Sequence, residues 1–104
     1  MPAPAQTARV TANGRKRLHV FYSGHVQGVG FRYTVKSVAA GFDVCGTVRN
    51  LPDGRVELVV EGETPELKAF QQAIRDEGLG GLIRDEQAEW SLAQGGLRGF
   101  EIAR

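Results

Sequence analysis

YSGHVQGVGFRYTV, residues Tyr22 to Val35, sets Gly24, Gly28 and Gly30 in one short run and follows them at once with Phe31-Arg32. Glycine gives up more conformational freedom on ordering than any other residue, so such crowding needs an offsetting demand for a bare, bent backbone. The flanks say what the loop joins. Upstream, Leu18 to Ser23, "LHVFYS", is rich in aromatic and β-branched residues and reads as a first strand. Downstream, Phe31, Val35, Val38 and Ala39 recur at three- and four-residue steps, so Phe31 to Ala40 reads as a helix with Gly41 as its stop. The loop from Gly24 to Gly30 therefore connects a strand to a helix start.

The remaining chain extends this pattern. "DVCGTVRN", Asp43 to Asn50, reads as a strand with Val44 and Val48 as core candidates. Asn50 to Gly54, "NLPDG", is a turn, with Pro52 presetting a dihedral and Asp53-Gly54 a hairpin signal. After it, Val56, Leu58 and Val60 alternate with Arg55, Glu57 and Val59, as a half-buried strand returning antiparallel does. Thr64 is the expected N-cap of a second helix, with Pro65 at its first position. Leu67, Phe70, Ile74 and Ala73 supply its apolar stripe, and an end near Gly78 is expected. Glu86 to Leu92 is a candidate edge strand, and Phe100 and Ile102 alternate as a last strand would. The order β-α-β-β-α-β fits the α+β class, as a ferredoxin-like α/β sandwich. Two helices would cover one face of a four- to five-stranded antiparallel sheet.

Composition removes several function classes. A chain of 104 residues suits one domain. We expect residues 1–16 to be a flexible basic extension and 17–104 to be the folded domain. Thirteen basic and 12 acidic residues leave a net charge of +1, which disfavours a general nucleic-acid binder. An RNA-binding domain sharing the ferredoxin-like order would also need an aromatic-glycine signature that is missing beside Phe21 and Tyr22. Cys45 is the single cysteine and only His19 and His25 accompany it, so neither a disulfide nor a structural zinc site is expected. No stretch has the apolar length of a signal peptide or membrane span, so cytoplasm is the default compartment.

A strand, a glycine loop and a helix start gather backbone N–H groups around one small space. The first N–H groups of a helix lack intrahelical partners, and successive amides of a tight loop converge on an anion. A phosphate-sized group fits such a nest. The order Gly24-x-x-x-Gly28-x-Gly30 is neither a Walker A loop nor a dinucleotide fingerprint. On glycines alone, a tight connection without ligand is the favoured reading. Arg32 adds weight, because a cation in the first helical turn is disfavoured by about 0.3–1 kcal/mol unless an anion reverses the sign. Its planar fork matches phosphate oxygens, although a surface arginine turned to solvent remains the plain alternative.

"GHVQGVGFR", Gly24 to Arg32, resembles the signature Gly-x-Val-Gln-Gly-Val-x-Phe-Arg of the acylphosphatases. "GTVRNLPDGRVE", Gly46 to Glu57, is similar to their second signature, at the family's spacing from the arginine to the asparagine. The likeness is detailed from Leu18 to Glu63 and looser to the C-terminus. It implies hydrolysis of the carboxyl–phosphate bond of acyl phosphates without metal, cofactor or covalent phosphoenzyme. The amides of His25, Val26, Gln27, Gly28, Val29, Gly30 and Phe31, with Arg32, would hold the phosphoryl group, and Asn50 would place the attacking water. Asn50's other reading is a plain turn residue. The implied partners are a small acyl phosphate and inorganic phosphate as product and competitive ligand, with no nucleic acid and no membrane, acting on a monomer.

Around that core, Gln27 is expected to brace the loop and Thr34 to support it by hydrogen bonding. Val26, Val29 and Phe31 are expected to be packing anchors, and His25, often arginine in the family, to face solvent. Thr47 stands where many relatives carry tryptophan, a departure that touches packing. The competing function is a non-enzymatic phosphate- or carbamoyl-phosphate-binding module, since similar domains open longer hydrogenase-maturation proteins. The chain's end soon after its last strand, without zinc-finger cysteines, favours the free enzyme.

Overall fold

Alternation of apolar and polar residues builds the sheet. The computed structural model describes residues 14–104. Strand β1 (Arg15–Gly24) turns Leu18, Val20 and Tyr22 inward, all fully buried. Strand β2 (Val44–Asn50) and strand β3 (Val56–Glu63) form the expected hairpin, with Val48, Val56, Leu58 and Val60 on the same inner face. Helix α1 (Phe31–Ala39) buries Phe31, Val35 and Ala39 against that face, and helix α2 (Thr64–Ile74) buries Leu67, Phe70 and Ile74. Each fully buried large apolar side chain contributes about 1.5–3 kcal/mol.

The element order agrees with the sequence reading, and five strands form one sheet in the order β4-β1-β3-β2-β5. Strand β4 (Ile83–Leu92) pairs antiparallel with β1 along the edge expected for Glu86 to Leu92, but begins three residues earlier. Strand β5 (Phe100–Ile102) corrects the expectation of an all-antiparallel sheet. It lies parallel to β2, so the sheet is mixed. The reason is topological. β4 ends on one edge of the sheet and β5 lies on the other, so residues 93–99 carry the chain across and it re-enters in β2's direction.

That crossing covers a charge. Glu61 of β3 alternates away from the helices and is nonetheless only 2% exposed. Its carboxylate accepts the N–H groups of Gln94 and Gly95, at 2.8 and 3.1 Å, and the Arg17 guanidinium at 2.8 Å. Burial pushes this carboxyl up, and the Gln94, Arg17 and Gly95 bonds more than offset it, so it titrates below its ordinary range.

Smaller corrections have local causes. Thr64 is the first helical residue rather than the N-cap. β3 runs straight into α2, and Glu63, still paired with Arg15, takes the cap position without a side-chain bond. α2 ends at Ile74, and the winding loosens over Arg75–Leu79, where Gly78 adopts φ of 87°. Arg75 and Gln71 both bond Glu86, tying this end of α2 to β4. Most of the expected N-terminal extension, residues 1–13, lies outside the described residues; Arg15 and Lys16, also assigned to it, stand in β1.

Candidate active site

β1 and β2 both run antiparallel to β3, so their C-termini lie at the same end of the sheet. Val56, at the start of β3, is paired with Tyr22 on one side and Asn50 on the other. With neighbouring strands about 4.8 Å apart, the end of β1 and Asn50 are separated by roughly 10 Å. The glycine loop leaves β1 here.

The loop is anchored at both ends and open between. The His25 N–H donates to the Leu82 carbonyl at 2.9 Å, and the Thr34 N–H donates to Gly30 at 3.0 Å as the first bond of α1. Gly24 must be glycine for that first anchor, because a Cβ would lie 2.5 Å from the Leu82 oxygen. Gly28 and Gly30 hold φ of 77° and 79°, values that favour glycine. Between the anchors, the N–H groups of Val26 to Phe31 have no hydrogen-bond partner among the described residues. At the helix start, the Arg32 and Tyr33 N–H groups lack partners for the geometric reason common to all helices. No acidic residue occupies the first turn.

The expected site residues divide accordingly. His25 is exposed, as expected, but its N–H is committed to Leu82, so the free amides begin at Val26. Val26 and Phe31 are 1% exposed and anchor the loop in the core, whereas Val29 is 43% exposed and is no packing anchor. Phe31 packs on Tyr22 with ring centres 5.2 Å apart. Thr34 contributes its backbone N–H, which closes the first turn of α1 on Gly30 as any non-proline residue would. Arg32 is half-buried and has no carboxylate partner among the described residues. Gln27 braces the loop by donating from Nε2 to the carbonyls of Leu51 and Arg55, at 2.8 and 2.9 Å.

Asn50 is the last residue of β2 and shares the helix-covered face with Val56. Its Oδ1 is buried without a hydrogen-bond partner. The turn that follows is closed by other groups: the Leu51 N–H on Arg55, the Gly54 N–H on Leu51 and the Asp53 carboxylate on the Arg55 N–H. The plain turn reading of Asn50 thus has no hydrogen bond behind it. Sequence reasoning missed Gly46, where a Cβ would lie 2.2 Å from the Val59 oxygen and whose N–H donates to Gly99. The motif contained this glycine, but nothing local signalled the close strand approach. Among the described residues no group of three or more His, Cys, Asp or Glu could hold a metal ion, and no helix is long and apolar enough to cross a membrane.

The acylphosphatase family model matches residues 18–102, which include the loop, Arg32 and Asn50. The chain belongs to the acylphosphatase family. It is an enzyme of that family, a hydrolase of acyl phosphates. An acylphosphatase of Trichormus variabilis is 42% identical over 88 residues, covering 85% of this chain and 86% of its own. The crystal structure of the Bacillus subtilis acylphosphatase superposes with a TM-score of 0.77 at 31% identity, over 86% of this chain and 99% of that one. HypF of T. kodakarensis superposes at 0.74 and 31% identity, over 86% of this chain and 12% of the much longer HypF. The ferredoxin-like α+β expectation holds, with the mixed sheet as its amendment.

Proposed function

We propose that the loop amides from Val26 to Phe31 and the Arg32 guanidinium hold the phosphoryl group of an acyl phosphate while Asn50 orients the attacking water. The observation that carries this reading is the run of unpartnered amides leading into a helix start that bears Arg32 and no acid. Phosphoryl transfer spreads charge over three equatorial oxygens, and fixed N–H donors with one guanidinium stabilise that charge without reorganising. The Asn50 carboxamide offers both a donor and an acceptor, so it orients the water without titrating. The water oxygen forms a bond to phosphorus as the phosphorus–acyl oxygen bond breaks. The electron pair leaves with the carboxylate, and the water's proton passes to the phosphate product or to solvent. A carboxylate is a weak base, so its departure needs no general acid.

Release of phosphate from benzoyl phosphate without added metal, together with thermal protection by inorganic phosphate, tests this reading. Protection without turnover would favour the phosphate- or carbamoyl-phosphate-binding module instead, a reading kept in view by the likeness to a domain-sized part of HypF. In the same proposal the protein acts as a monomer in the cytoplasm, where the lone Cys45 stays reduced. Residues 1–13 precede the catalytic domain, whose first strand takes in Arg15 and Lys16.

A further inference from the structure

The Gln27 side chain spans from the middle of the glycine loop to both ends of the β2–β3 turn. Its Nε2 lies 2.8 Å from the Leu51 carbonyl and 2.9 Å from the Arg55 carbonyl. Two acceptors face one nitrogen, which commits both amide hydrogens and identifies that atom as the donor. Leu51 directly follows Asn50, and its own N–H donates to the same Arg55 carbonyl at 2.8 Å. One amide group thus joins the segment bearing the free loop N–H groups to the segment bearing Asn50. Elsewhere the body of the loop is held by the packing of Val26 and Phe31 in the core.

We propose that Gln27 is a positioning residue that sets the distance between the phosphoryl cradle and the water-orienting Asn50; this rests on the reading above. In-line attack is sensitive to such a distance, and a displacement of about 1 Å can cost roughly a hundredfold in rate. Holding the phosphate requires only the loop and Arg32. Losing the Gln27 link therefore lowers turnover more than phosphate affinity. A glutamate at 27 would turn a carboxylate oxygen toward two carbonyls, and only its protonated form could donate to one of them.

The test uses benzoyl phosphate turnover and competitive inhibition by inorganic phosphate in Q27A, Q27M, Q27E, N50A and Q27A/N50A. Q27A is expected to lose kcat by about 10- to 100-fold while the phosphate inhibition constant moves by less than about threefold. Q27A should cost N50A no further kcat, since the geometry it sets is then unused. Q27E activity relative to the unmodified protein should rise between about pH 8 and about pH 5 as its carboxyl takes up a proton. Q27M, similar in length, carries the comparison if Q27A does not fold. A kcat within about twofold of the unmodified protein in Q27A or Q27M overturns the inference. So does an equal loss of kcat and phosphate affinity with no coupling to Asn50, which would mark Gln27 as merely structural. If N50A keeps its rate, the underlying reading fails; if N50A loses its rate but the Gln27 variants do not, only this inference fails.

Discussion

Tyr22 and Asn50 flank Val56 from opposite sides, one near the end of β1 and one at the end of β2. Segments far apart in the chain thereby deliver a glycine loop and a carboxamide to one end of the sheet. The Asn50 Oδ1 that results is buried and unpartnered. An unsatisfied buried polar atom costs about 1–3 kcal/mol, so its presence is a stability sacrifice that a role in turnover would explain.

The first prediction follows from that cost. Asn50→Ala should lower kcat by at least about a hundredfold, in line with loss of a positioned reactant, while inorganic phosphate still protects against unfolding. Its melting temperature should be no lower than that of the unmodified protein, because the unpaired acceptor is removed. Steady-state turnover and thermal unfolding with and without phosphate check both halves. Near-normal rates would sink the water-orienting assignment.

Arg32 stands in the first turn of α1 with no acid beside it. Arg32→Ala should abolish phosphate protection and turnover, yet leave the phosphate-free protein unchanged or steadier by about 0.3–1 kcal/mol, because a cation leaves a positive helix end. Urea unfolding in phosphate-free buffer reads the second effect. A clear destabilisation would mean that Arg32 serves the fold rather than the anion.

Two glycines should resist the smallest substitution. Gly46→Ala places a Cβ 2.2 Å from the Val59 oxygen, and Gly24→Ala places one 2.5 Å from that of Leu82. Overpacking costs about 1–3 kcal/mol and more against backbone, so both variants should unfold at lower denaturant. Gly24→Ala should also lose activity, since the His25 anchor of the loop shares that contact. Denaturant midpoints and phosphate release separate the pair, and a Gly24→Ala protein of full activity would show that the loop's entry is not constrained.

The Glu61 carboxyl titrates below its ordinary range in the folded protein. Its stabilisation is therefore complete above the unfolded value, about pH 4.3, and is lost as pH falls through the lower folded value. Glu57 follows the same sign: burial raises it, and the Arg49 and His19 bonds outweigh this. Glu61→Gln should unfold more easily near neutrality, by about 1–3 kcal/mol for a weakened charge-assisted network. Its stability should also change less than that of the unmodified protein as pH falls below about 4.3. Parallel stability curves would refute the assignment.

Much of this protein was readable from local pattern. Leu18, Val20 and Tyr22 announce a strand, Phe31 and Val35 a helix, and Asp53-Gly54 a hairpin, because periodicity and turn chemistry act over a few residues. The loop glycines, Arg32 and Asn50 stand out in two short motifs, and the roles given to them come from the resemblance those motifs carry. Tertiary structure alone decided the rest. The parallel seat of Phe100–Ile102 beside β2, the burial of Glu61 under Gln94 and Gly95, the glycine requirement at position 46 and the commitment of His25's N–H to Leu82 all depend on segments distant in sequence. Backbone approach between such segments is set by which strands become neighbours, and no spacing along one strand encodes that.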